Sequence, residues 1–182
     1  MSEFKTLVQN RRSVRKFTDR DINPDDLQLI LRAALMAPTS KSTRGWHFII
    51  VDDKDTLEKM SLCRQMGSQF IADAKVAIVV LGDVDKTDVW VEDASIAAVT
   101  MQYQATDLGI GSCWCQVRNR FMNESESADN ILRFLLRYPD NLVAECIIGL
   151  GYPAVERKPQ NEDALKWENV HIGKYKAENE CE

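Results

Sequence analysis

Apolar positions along the chain follow two patterns, one with helical spacing and one of short continuous runs. Between Asn23 and Ala37, the residues Leu27, Ile30, Leu31, Ala34 and Leu35 recur at three- and four-residue steps and line one helix face. Asn23 suits the cap, Pro24 the first helical position, and Asp25 and Asp26 the positive end of the dipole, while Pro38 stops the run. The spacing predicts a helix over 23–37. A second helix is predicted over 92–108, where Ala94, Ala97, Ala98, Met101, Ala105 and Leu108 form a stripe of mostly small side chains. Ile96, Val99 and Tyr103 add apolar surface elsewhere around it, which predicts a central or interface helix. Residues 125–137 give a third.

The runs Trp46–Val51 and Val76–Leu81 are short and rich in β-branched or aromatic residues, and they read as strands buried on both faces. Segments 112–117 and 143–149 read as two more strands, so the chain is expected to be an α+β sandwich with four core strands. From Pro153 onward the sequence is polar, with Trp167, Val170, His171, Ile172 and Tyr175 as sparse anchors. A tail of that kind usually lies along another surface, such as a partner subunit. Absence of repeats, linkers and low-complexity stretches predicts one domain over 1–182, its extended tail covering about 153–182.

Composition agrees with a globular chain: 45% of residues are apolar, enough for a sizeable core. The longest apolar run, Val76 to Leu81, is far too short to span a membrane. Met1 to Arg12 is polar and lacks the apolar stretch of a signal peptide, so a cytoplasmic protein is expected. Cys63, Cys113, Cys115, Cys146 and Cys181 are odd in number and without framework spacing, as reduced thiols would be.

Charge changes the picture at one place. The net charge of −5 disfavours general nucleic-acid binding. Yet residues 1–20 hold Lys5, Arg11, Arg12, Arg15, Lys16 and Arg20 against only Glu3 and Asp19. A positive patch in an acidic protein points to a discrete anion such as a phosphate. The core of the patch is Arg11-Arg12-Ser13-Val14-Arg15, where planar guanidinium forks and a hydroxyl match phosphate oxygens. A solvated basic turn has the same composition.

Two further segments can carry chemistry. Ala37 to Phe48 is a hydroxyl-rich loop between a helix stop and a strand, able to hydrogen-bond a heterocycle or simply to connect two elements. Gly109-Ile110-Gly111-Ser112 admits close backbone approach, so its amides could face a planar ligand. It follows a helix and lacks the third glycine of a dinucleotide fingerprint, so no Rossmann fold is indicated. His47 and His171 stand without neighbouring ligand sets, and Cys113 and Cys115 lack zinc spacing and read as buried structural thiols. No metal site, nucleophile elbow or P-loop is visible, which favours chemistry borne by a bound cofactor.

Taken in order, these segments resemble the nitroreductase family of FMN flavoproteins. The family's Arg-Arg-Ser-x-Arg motif is matched by Arg11, Arg12, Ser13 and Arg15. Its Ala-Pro-Ser loop is matched in length by Ala37 to Trp46, and its Asp-x-x-x-Ala helix leading to Gly-Leu-Gly-Ser-x-Trp by Asp93, Ala97 and Gly109 to Trp114. Its late Gly-Tyr-Pro and Val-His segments correspond to Gly151-Tyr152-Pro153 and Val170-His171, with Tyr175 beyond. The resemblance runs from about residue 8 to 175. It implies a three-layer sandwich, a central, mostly antiparallel sheet flanked by helices, with a C-terminal extension packing on the partner of a homodimer.

It also implies roles. Arg11, Ser13 and Arg15 would bind the FMN phosphate with Arg12 assisting, together with a late basic residue: Arg157, Lys158 or Lys166, of which Lys166 is preferred. Pro38, Thr39, Ser40 and Ser42 would reach the other subunit's flavin, and Trp114, Cys115 and Gln116 would lie beside the isoalloxazine. Ser42 stands where the family usually has Asn, and Arg44-Gly45 replaces Gln-Pro, which weakens the loop's case for flavin hydrogen bonds. The implied reaction is a ping-pong transfer of hydride from NAD(P)H through flavin N5 to a small acceptor, a nitroaromatic, quinone or similar compound. Arg12 or Arg15 would supply positive potential near N1 and O2, and no side chain need act as acid or base. The alternatives are relatives with reductive dehalogenation or flavin fragmentation, for whose lid residues 83–93 are too short, and a non-catalytic FMN-binding protein.

Overall fold

The computed structural model describes residues 3–175. Its sheet has four strands, β1 (Trp46–Val51), β2 (Val76–Asp83), β3 (Gly111–Gln116) and β4 (Leu142–Gly151), in the order β1-β2-β4-β3 with every neighbour antiparallel. Five α-helices surround it: α1 (Phe4–Asn10), α2 (Pro24–Leu35), α3 (Lys54–Ser61), α4 (Trp90–Asp107) and α5 (Ala128–Leu136). The α+β architecture expected from the sequence is therefore present, with a fully antiparallel sheet.

Helices cover both faces. On one face α2 and α4 press Ile30, Ala34, Ala97, Ala98 and Met101 onto Ile78, Val80, Ile148 and Leu150. On the other, α3 and α5 press Leu57, Met60 and Leu132 onto Val79, Leu81, Ile147, Cys113 and Cys115. The alanines of α4 leave no bulk between helix and sheet. The approach is close at Gly82 too, where a Cβ would stand 2.4 Å from the Trp90 ring.

Local signals account for the helix starts. Asn23 accepts from the Asp25 amide at 2.9 Å and Asp53 accepts from the Thr56 amide at 2.9 Å, while the Ser127 hydroxyl caps α5. The helices α1 and α3 were not expected from the pattern: α1 buries no residue, and α3 has only eight residues, with Leu57 and Met60 as its buried apolar pair. One expectation is corrected outright. β2 is buried along its whole length, but β1 is a sheet edge and leaves His47 and Ile50 exposed.

Between the two central strands, the β2–β4 register shifts between Val80 and Leu81, leaving Glu145 as the extra residue of a bulge. The chain from Pro153 to Tyr175 is exposed throughout, with Trp167 70% and Ile172 91% accessible. Within the described residues no helix is long and apolar enough to cross a membrane.

Candidate cofactor-binding site

Segment 11–18 is shaped by two backbone junctions. The Val14 amide donates to the Ser112 carbonyl at 2.9 Å, and then the Thr18 amide donates to Tyr152 and the Ala154 amide to Lys16 at 2.8 and 3.0 Å. Val14 is buried, and its neighbours Ser13 and Arg15 line the cavity on its flank. The floor beneath consists of two glycines in register, Gly111 and Gly151. A Cβ on Gly111 would meet Val14 at 2.9 Å, and one on Gly151 would meet Phe17 at 2.8 Å. The expectation that Gly109 and Gly111 open the backbone to a ligand is thus revised. Gly111 makes room for the arginine-bearing segment, and Gly109 turns the chain at φ +71.

This packing makes a specific result expected. Gly111→Ala should push Val14 off β3 and cost about 1–3 kcal/mol of stability, as overpacking does. Because Ser13 and Arg15 ride on Val14, phosphate protection against urea unfolding should shrink in parallel. A variant with wild-type urea midpoint and protection would refute the coupling.

Arg11, Arg12, Ser13 and Arg15 converge, with Arg157 and Gln160, around an open cavity of about 290 Å³. The tail is sewn there by its backbone: the Gln160 amide donates to the Gln9 carbonyl at 2.8 Å, and Arg12 donates to the carbonyls of Lys158 and Pro159 at 2.6 and 3.3 Å. No ion pair among the described residues uses Arg11, Arg12, Arg15 or Arg157. Cations gathered without counter-charges fit a multiply charged anion such as a phosphate monoester. Lys166 does not line this cavity; its ammonium lies 3.1 Å from Glu168. Of the three late basic residues, the structure brings Arg157 to the arginines.

From the cradle the outer edge of β3, the last strand of the sheet, leads away. The Ser112 carbonyl accepts from Val14 and the Gln116 carbonyl accepts from Arg64 at 2.8 Å, so the even-numbered residues of β3 turn their backbone groups away from β4. Between those two capped positions lies Trp114, its backbone amide and carbonyl on the same outer edge. A planar heterocycle needs such in-plane donors and acceptors. The side chains are already committed. Trp114 Nε1 donates to Gln116 Oε1 at 2.9 Å, and Gln116 Nε2 donates to Glu145 Oε1 at 3.0 Å. The bulge places Glu145, 4% exposed, where it holds that carboxamide.

Cys115 points into the opposite core layer with Cys113 and Cys63. Burial pushes the Cys115 thiol up to about 12 and the Cys63 thiol up to about 11, and raises Cys113 and Cys146 as well. These four are neutral packing groups, not thiolate nucleophiles. Cys181 lies outside the described residues.

The hydroxyl loop is a separate construction. Ser40 to Ser42 forms a 3₁₀ turn in which Lys41, Ser42 and the nearby Arg44 sit at φ 50, 55 and 49. Such left-handed residues are uncommon without glycine. They are held by Asp93, in the first turn of α4 and 4% exposed, whose Oδ1 accepts from the Ser40 amide at 2.8 Å and Oδ2 from the Thr43 hydroxyl at 3.4 Å. The Arg44 amide also donates to the Thr39 hydroxyl at 3.1 Å. Pro38 lines a groove between α2 and α4 with Met36 and Thr100. Pro38, Thr39, Ser40 and Ser42 do not line the arginine cavity of their own chain.

Among the described residues no group of three or more His, Cys, Asp or Glu side chains is placed to hold a metal ion. Sequence reasoning passed over Arg64 and Glu145, since a lone arginine in a polar loop and a lone acid in an apolar strand carry no spacing signal.

Comparison with known proteins bears on this geometry. The family model described as "Nitroreductase family" matches residues 8–152. A protein of Archaeoglobus fulgidus is 36% identical over 180 residues, covering 96% of this chain and 100% of that protein. One of Methanothermobacter thermautotrophicus is 32% identical over 171 residues, covering 92% and 85%. Both are named "Putative NADH dehydrogenase/NAD(P)H nitroreductase". Among solved structures, an FMN-dependent nitroreductase from Clostridium difficile R20291 is similar with a TM-score of 0.91 and 45% identity, covering 93% of this chain and 98% of that one.

Proposed function

Since this chain belongs to the nitroreductase family, we propose that it is a cytoplasmic, homodimeric FMN oxidoreductase passing hydride from NAD(P)H to a small acceptor in a ping-pong cycle. The observation that carries the reading is the cradle of arginines, unpaired by any acid among the described residues, whose Ser13 bridges to Ser112 at the start of β3. FMN bound there supplies hydride acceptance and donation at N5.

The chain's own residues bind and orient. Arg11, Ser13, Arg15 and Arg157 hold the phosphate, and Arg12, through the Lys158 and Pro159 carbonyls, keeps Arg157 in place. The Trp114 backbone meets the ring edge, while the Glu145–Gln116–Trp114 hydrogen bonds fix the indole. The Pro38–Ser42 loop serves the neighbouring subunit's site. The test is direct: the purified protein should be yellow, release one FMN per subunit on denaturation, and oxidise NADH or NADPH in the presence of a quinone or nitroaromatic. Release of FAD, or no flavin after reconstitution with FMN, would overturn the assignment. A yellow protein that oxidises neither nicotinamide would be a flavin carrier.

The dimer has its own support. Phe4, Val8, Leu35, Met36 and Ile96 are exposed on α1, α2 and α4, and Trp167, Val170, Ile172 and Tyr175 are exposed along the tail. Ending the chain before Pro159 should therefore lower dimer stability and FMN affinity together. Sedimentation with flavin titration checks this. An intact protein that is monomeric at micromolar concentration, yet keeps full flavin and activity, would show that the interface is not needed.

A further inference from the structure

Resting on the FMN reading, we propose that Arg64 is the cation at the ring end of the cofactor groove and that it raises the reduction potential of the bound flavin. Ser112 and Gln116, the two capped positions on the outer edge of β3, are four residues apart, about 13 Å of strand. The arginine cradle adjoins the first and Arg64 the second. In FMN a five-carbon chain separates phosphate from ring, so a molecule anchored at Ser13 brings its ring to the stretch between Trp114 and Arg64.

Three features mark Arg64 as more than a loop anchor. It is half-buried, and no ion pair among the described residues uses it. Its turn is shaped to its head group, since a Cβ on Gly67, at φ +88, would stand 3.2 Å from a guanidinium nitrogen. The Cys63 and Cys115 thiols beside it are kept neutral by burial, and the Glu145 carboxylate accepts from the Gln116 carboxamide, not from Arg64.

Other cations are engaged elsewhere. Arg11, Arg15 and Arg157 face the phosphate cavity, Arg12 is bound to tail carbonyls, and Arg118 lies 5.8 Å over the Trp90 ring. A fixed positive charge beside the ring stabilises the electron-rich reduced form more than the oxidised one.

The experiment measures FMN affinity in both oxidation states, and the midpoint potential, for wild type, Arg64→Gln, Arg64→Met and Arg64→Lys. The neutral variants should bind oxidised FMN within a few-fold of wild type but lose at least tenfold more affinity for reduced FMN. That corresponds to a potential lower by about 30 mV or more for a two-electron couple. Glutamine keeps a donor for the Gln116 carbonyl, so a drop shared by both neutral variants, with Lys restoring the wild-type value, separates charge from anchoring. Bound flavin with unchanged potential in both neutral variants would overturn the inference and leave the FMN reading standing. A wild type that takes up no FMN would overturn that reading first.

Discussion

Replacing Arg11 and Arg15 together by alanine is expected to weaken FMN binding by roughly a hundredfold or more. Each charge-assisted phosphate bond contributes on the order of 1.5–3 kcal/mol, and every 1.4 kcal/mol is tenfold in affinity. The two losses need not add, because both groups share one dianion. Arg157→Ala alone should cost about tenfold or more on the same reasoning. Lys166→Ala should cost nothing, because its ammonium faces Glu168 rather than the cradle. The fold should survive, as neither Arg11 nor Arg15 is buried or ion-paired among the described residues. Flavin fluorescence titration beside urea unfolding distinguishes the two effects. Dissociation constants unchanged in all the arginine variants would sink the phosphate assignment.

Asp93→Ala should be the most damaging single change away from the cradle. The carboxylate is 4% exposed and holds a loop with three left-handed residues, each costing about 1–3 kcal/mol of local strain. Its compensation comes from the Ser40 amide, the Thr43 hydroxyl and the first turn of α4, and among the described residues no ion pair uses it. Alanine removes the acceptor and leaves those donors facing a void, so a loss of about 2–4 kcal/mol is expected even after the loop relaxes. The Asp93→Asn variant, keeping one oxygen for the Ser40 amide, should lose less than half as much. If the loop completes the neighbouring flavin site, FMN affinity should fall with the phosphate cradle intact. Unfolding energy and loop proteolysis rates equal to wild type in Asp93→Ala would show that the carboxylate holds nothing.

How far the sequence revealed this arrangement depended on where each constraint lies. The helix α2 was legible because its cap, its proline and its apolar face are all local. Buried β2 and edge β1 looked alike, since a run of β-branched and aromatic residues does not say how many neighbours its strand will have. The Arg11–Arg15 motif was legible as chemistry. Its late partner was not, because backbone bonds from Ala154 and Gln160 to segment 9–16, with no side-chain signature, bring Arg157 there. Gly111 announced a close approach correctly, but not that Val14 is what approaches. Arg64 became visible only when its loop was seen to end on the Gln116 carbonyl.

The open edge of β3 has a consequence for how the chain avoids sticking to itself. An unpaired strand edge is a template for adding foreign strands, and a protein that keeps one free for a ligand risks aggregation whenever the ligand is missing. Here the risk is confined by stops at both ends, the Val14 amide on Ser112 and the Arg64 guanidinium on Gln116. What stays open is little more than the backbone of one residue, Trp114. That is enough to meet the rim of a flat ring and too short for another chain to zip along, so this edge can wait for its cofactor without itself seeding strand addition.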